Sequence, residues 1–117
     1  MKTYARLRVR ISPELKQYLD ELAYEASDIL REAVYKALLV LYEHNPSDVK
    51  EDLSSSHLIR ADFESYLWVR SLKKKDRERF YALVNEIALP LAKEKLELRR
   101  KLREKLAQFG SPVLNVL

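Results

Sequence analysis

The chain has no cysteine, one glycine and four prolines. Without cysteine there are no disulfides, no thiol nucleophile and no cysteine-held zinc, and the composition fits a reducing compartment. A single glycine leaves almost no material for tight hairpins, bulges or a glycine-rich phosphate loop, which excludes nucleotide sites of that kind. No apolar run approaches the ~18 residues of a membrane span, and the first residues lack the apolar stretch of a secretory signal. These absences predict a soluble, cytoplasmic, mainly α protein with no membrane contact. What is present is apolar residues at 47% and charged residues at 34% of 117 positions, enough for one core under a highly charged surface. Ordinary domains carry about 25% charge. The excess, with only three asparagines, two glutamines and one methionine, is the pattern of a thermophile.

Net charge is +4, but it is unevenly spread. Residues 1–11 hold four basic groups and no acid, residues 12–45 three basic and seven acidic, and residues 46–117 fifteen and eleven. A short, purely cationic segment on an acidic helical body reads as an arm for a polyanion. Within it Ala5, Leu7, Val9 and Ile11 alternate with Arg6, Arg8 and Arg10, the period of a half-buried strand. Ser12-Pro13-Glu14-Leu15 then opens a helix, with serine as cap, proline at the first position and an acid at the positive end of the dipole. Helical spacing continues through Leu19, Leu22, Ala26, Ile29, Ala33, Ala37 and Leu41 to Asn45-Pro46, either as one long helix or as two with a tight turn near Glu25–Ser27. Further on, the pattern predicts a short helix from Ser47 to about Leu53, a loop at Ser54–Ser56, a helix from Leu58 to Leu72, a polar turn at Lys73-Lys74-Lys75, and a long helix from Asp76 to about Phe109 bent at Pro90. No internal repeat stands out.

Only the N-terminal segment reads as a strand. One strand alone leaves its backbone donors and acceptors unpaired. The simplest remedy is the same strand from a second copy, paired antiparallel across a two-fold axis, with Ala5, Leu7, Val9 and Ile11 as the dimer interface. Such a ribbon, roughly 23 Å long at ~3.3 Å per residue, would hold six arginines on its exposed face. It has the size to enter the DNA major groove, where arginine binds guanine O6 and N7 bidentately. A solvated, aggregation-resistant edge is the plainer alternative, but lysine would serve that purpose as well.

Residues 3–44 resemble the ribbon-helix-helix DNA-binding proteins of the Arc and MetJ superfamily. The resemblance rests on Arg6-Leu7-Arg8-Val9-Arg10-Ile11, Ser12-Pro13-Glu14-Leu15, Leu19-Asp20-Glu21-Leu22-Ala23 and Ser27-Asp28-Ile29-Leu30-Arg31-Glu32-Ala33, in that order. It implies a homodimeric transcriptional regulator, such as a repressor, with its ribbon in the major groove of double-stranded DNA and the second helix's N-terminus near a phosphate. On that basis the DNA-binding residues are Arg6, Arg8, Arg10, Tyr4, Lys2 and Ser27. Residues 1–45 form the DNA-binding and dimerisation module. Residues 46–117 form a helical extension for higher oligomerisation or a protein partner. Between Leu22-Ala23 and Ser27 only Tyr24-Glu25-Ala26 intervenes, about one helical turn less than the family's pattern.

No catalytic constellation is visible, so no enzyme activity, cofactor or metal site is expected. His44 and His57 flank a loop with Asp48, Glu51 and Asp52, yet their spacing matches no ligand motif, and both fall at expected helix ends. Ser54–Ser56 lack a base and an orienting acid. Lys93 to Lys105 holds seven basic and three acidic residues, a pattern that suits intrahelical pairing on a solvated face better than a second nucleic-acid surface. Tyr66, Trp68, Phe80 and Tyr81 read as core or interface aromatics. Two other functions fit parts of the pattern. One is an antitoxin with the same N-terminal module and a toxin-binding C-terminal segment. The other is a helical interaction protein in which residues 12–45 are one straight helix.

Overall fold

The computed structural model describes residues 3–43 and 52–109. It is mainly helical, with one two-stranded antiparallel sheet. The order is β1 (Tyr4–Ile11), α1 (Pro13–Leu22), a single 3-10 turn (Ala23–Glu25), α2 (Ala26–Val40), β2 (Ser55–Asp62), α3 (Phe63–Ser71) and α4 (Lys74–Gln108). A straight helix from Pro13 to Asn45 is therefore excluded. The short helix expected at Ser47–Leu53 lies almost wholly outside the described residues, as do Lys2 and His44.

The largest correction concerns the partner of β1. Its mate is β2 of the same chain, in a register that sets Tyr4 opposite Asp62, Arg6 opposite Arg60, Arg8 opposite Leu58 and Arg10 opposite Ser56. A loop and the start of a helix were the sequence expectation for this stretch. The inner positions of β2, Ser55, His57, Ile59 and Ala61, are polar or small at one end, and Leu58 faces outward, so alternation is blurred. With the mate supplied in the chain, the reason to require a second copy disappears. Leu7, Val9 and Ile11 are buried, and Ala5 half-buried, inside one chain.

A second correction is that the chain does repeat itself, in geometry rather than residue identity. Shifted by 50 positions, strand, cap and two helices recur. Ser12 caps α1 by accepting from the Leu15 amide at 3.1 Å, and Asp62 caps α3 by accepting from the Ser65 amide at 3.0 Å. Leu19 and Val69, Leu22 and Leu72, Leu30 and Phe80, and Val34 and Val84 are matched pairs, all buried. One half also anchors the other's cap. The Asn85 side chain on α4 accepts from the Ser12 amide at 2.9 Å, and at the matching position on α2 burial, with the Asp62 carboxylate nearby, pushes the Tyr35 hydroxyl pKa up.

One core joins the halves. Leu15, Leu19, Leu30 and Val34 belong to the same buried cluster as Ile59, Val69, Phe80, Leu83 and Val84, so the expected boundary near residue 45 does not divide the core. Each such side chain withdrawn from water stabilises by about 1.5–3 kcal/mol before entropy is counted. Helix α4 begins at Lys74 rather than Asp76, and it continues through Pro90. Glu86, whose carbonyl loses its partner there, is exposed, so water can satisfy it. Leu98 and Leu102 in the C-terminal part of α4, and Phe109 just after it, are exposed.

The break between α1 and α2 falls at Ala23, with φ 54° and ψ −116°. That backbone favours glycine, because a Cβ is crowded there. Arg99 of α4 braces the turn, donating to the Leu22 carbonyl at 3.1 Å and to the Glu25 carboxylate at 2.5 Å. Ala23→Gly is expected to stabilise the fold by about 1 kcal/mol. Ala33→Gly, in the buried interior of α2, should cost at least as much. Thermal denaturation of the two variants checks the contrast; equal losses would rule out the left-handed turn.

Candidate nucleic-acid interface

Strand alternation sends Arg6, Arg8 and Arg10 to the outer face of the ribbon, joined from β2 by Arg60. The face thus carries four arginines rather than six. Opposite Arg8, where a second copy would have supplied another arginine, stands Leu58, 42% exposed. Arg6 and Arg60 are direct cross-strand partners, a like-charge pair that opposes the pairing. Among the described residues none of these four arginines makes an ion pair. Arg8 donates to the Ser56 hydroxyl at 3.1 Å, and the Arg60 guanidinium lies 6.0 Å from the centre of the exposed Tyr4 ring.

The helices flank the ribbon in an ordered way. α1 and α2 pack along β2, while α3 and α4 pack along β1. On the β1 side this leaves a groove of about 450 Å³ lined by Arg6, Arg8 and Arg10, by Tyr66 and Arg70 of α3, and by Arg77 and Tyr81 of α4. No carboxylate lines it. Arg77 closes the C-terminus of α3 by donating to the Arg70 and Leu72 carbonyls, each at 3.0 Å, and its Nε is buried without a hydrogen-bond partner. Five guanidinium groups around one groove form a concentrated positive potential of the kind that attracts a polyanion. Two larger clefts carry both signs. Glu21 and Glu97 face Arg100 and Arg103 in one of about 620 Å³, and Glu25, Asp28 and Glu32 face Arg31 and Lys36 in one of about 660 Å³.

The two inter-helix turns differ sharply in charge. Residues 20–28 hold four acidic groups and no basic one, net −4, whereas residues 70–78 hold five basic and two acidic, net +3. Ser27, expected at a phosphate, sits on the acidic turn beside Asp28, which is paired with Arg31 at 2.9 Å. Sequence reasoning missed Arg60, Leu58, Arg70 and Arg77. The run Lys73-Lys74-Lys75 was the available signal, legible as a polar turn but not as one flank of the ribbon.

The other candidates fall away from this surface. In the C-terminal part of α4 Arg100 pairs with Glu97 and Glu104, the intrahelical pairing expected of a solvated face, whereas Lys93 reaches across to Glu14 of α1 at 3.5 Å. Phe80 is buried, Tyr66 and Tyr81 pack against the core, and Trp68 is partly exposed. Among the described residues no cluster of metal-ligating side chains occurs, and no helix is long and apolar enough to cross a membrane. No family model, no curated protein and no solved structure matches the chain.

His57 lies in β2 rather than at a helix end, with Nδ1 3.1 Å from the Lys16 ammonium. Burial, then the Lys16 charge, pushes its pKa down, against a smaller opposing effect of Asp20. The folded ring is therefore neutral and accepts from Lys16. Because the unfolded chain binds the proton more readily, the stability His57 contributes is complete above the ordinary imidazole value of about 6.5. It is lost as pH falls below that value and through the lowered one. Asp62, held low by hydrogen bonds from Ser65, adds a second loss below the ordinary carboxylate range. Urea denaturation across pH 7 to 5 should show falling stability in the native chain and a flatter profile in His57→Gln; identical slopes would exclude His57 as the titrating group.

Proposed function

We propose that this protein binds double-stranded DNA, with the outer face of its β1–β2 ribbon in the major groove, as a transcriptional regulator of the ribbon-helix-helix kind assembled within one chain. The observation that carries the reading is the groove along β1 whose charged lining is all arginine, continuous with a ribbon face whose arginines lack acidic partners. Two strands ~4.8 Å apart suit a groove ~12 Å wide, and the guanidinium fork matches the guanine edge. Lysines 73–75, exposed where α4 begins, would meet phosphates beside it and supply affinity without sequence information. The like-charge repulsion between Arg6 and Arg60 is relieved by an anionic partner, which gives the strained face a use.

Arg8→Ala is expected to weaken binding to a duplex selected from a random pool by about 5- to 150-fold and to relax base preference at the centre of the site. Lys74→Ala should weaken cognate and scrambled duplexes alike and flatten the salt dependence by about one unit. Lys101→Ala, on the exposed far part of α4, should change neither. Fluorescence anisotropy titrations at two salt concentrations separate these outcomes, and loss of specificity in the Lys101 variant alone would move the interface away from the ribbon.

A further inference from the structure

We infer that the DNA site this chain reads is asymmetric, met by one chain, with base contacts and phosphate clamping concentrated on the β1 side. The inference rests on the DNA-binding reading above and specifies the duplex. In a two-fold ribbon the same residues meet both half-sites, so the preferred duplex is palindromic. The register here places the local two-fold axis between Arg8 and Leu58 and makes Arg10 equivalent to Arg60, Arg8 to Leu58, and Arg6 to Ser56. Only the first of these three pairs is alike.

The unlike pairs differ in chemistry. Arginine presents up to five fixed donors and favours guanine O6 and N7. Leu58 presents none and suits the methyl group of thymine, the one apolar feature of the major-groove edge. Ser56 is short, and its hydroxyl already accepts from Arg8. The β1 half is thereby matched to a guanine-containing step and the β2 half to a step bearing a thymine methyl.

The flanks add a second, independent asymmetry. On the β1 side the residue 70–78 turn is net +3 and shares the groove with Arg6, Arg8 and Arg10. On the β2 side the equivalent turn is net −4, and its nearby cations are engaged, Arg99 by Glu25 and Arg31 by Asp28. A phosphate strand placed symmetrically on the two sides would be held on one and repelled on the other.

The test is selection of bound duplexes from a random pool by the full chain, followed by anisotropy and by sedimentation of the complex. The expected motif is non-palindromic, with one chain per duplex. An inverted repeat of its arginine-read half should bind about tenfold or more weakly than the selected site. Ser56→Arg combined with Leu58→Arg should narrow that difference by restoring likeness across the axis. A palindromic motif, or an inverted repeat bound as tightly as the selected site, overturns the asymmetric site while leaving DNA binding intact. Recovery of no preferred sequence overturns the DNA-reading function itself and this inference with it.

Discussion

A two-stranded ribbon has no third strand to satisfy its backbone, so each strand depends on the other for its ladder of hydrogen bonds. In this chain both strands come from one sequence, and the rest of the structure follows from where they must meet. Antiparallel pairing sends α1 and α3 away from opposite ends of the ribbon, which lays α1 and α2 along β2 and α3 and α4 along β1. The inner face then closes over Leu7, Val9, Ile11, Ile59 and Ala61, and every arginine of the ribbon is left on the outer face. Asn85 on the Ser12 amide and Asp62 on the Ser65 amide fix where the helices enter. The Asn85 bond crosses between halves, so the start of α1 depends on the second half for part of its hydrogen bonding.

Much of the first half was legible in the sequence. β1, the Ser12-Pro13 cap and the outward arginines follow from strict alternation and from cap chemistry, both local signals. The break between α1 and α2 was legible only as one of two options, because Ala23 adopts a glycine-like backbone that its identity does not announce. The second half was harder for a physical reason. β2 needs only a partly apolar inner face, since β1 supplies the larger side chains opposite it, so Ser55 and His57 can stand where a free-standing amphipathic strand would carry valine or isoleucine. The repeat is equally hidden. A core fixes which positions are buried and roughly how much volume they fill, so Leu30 and Phe80, or Ala33 and Leu83, meet the same requirement with different residues.

The candidate site was legible to the same extent. Arg6, Arg8 and Arg10 were readable as an exposed cationic row, but the groove beside them was not. Arg70 and Arg77 approach that row only because α3 leaves from the Asp62 end of β2, opposite Tyr4. That juxtaposition depends on long-range pairing, which composition and periodicity do not encode. The family resemblance implies a phosphate contact at Ser27, yet the charge around it is acidic. The helix N-terminus that meets the cationic side belongs to α4.

Joining the two strand-helix-helix halves also changes what selection can do with them. In a homodimer each substitution appears twice, so an arginine at the ribbon centre is placed opposite itself, and folding depends on protomer concentration. Within one chain the second half is held near the first at an effective concentration set by the connection. The ribbon therefore forms without a concentration term, and each position on β1 varies independently of its counterpart on β2. Leu58 opposite Arg8 uses this freedom directly: it removes one central like-charge pair from the ribbon while keeping the arginine on the side where α3 and α4 complete the groove. The same freedom lets the two inter-helix turns take opposite charge, with Glu25 spent on bracing Arg99 in one and lysines 73–75 left exposed in the other.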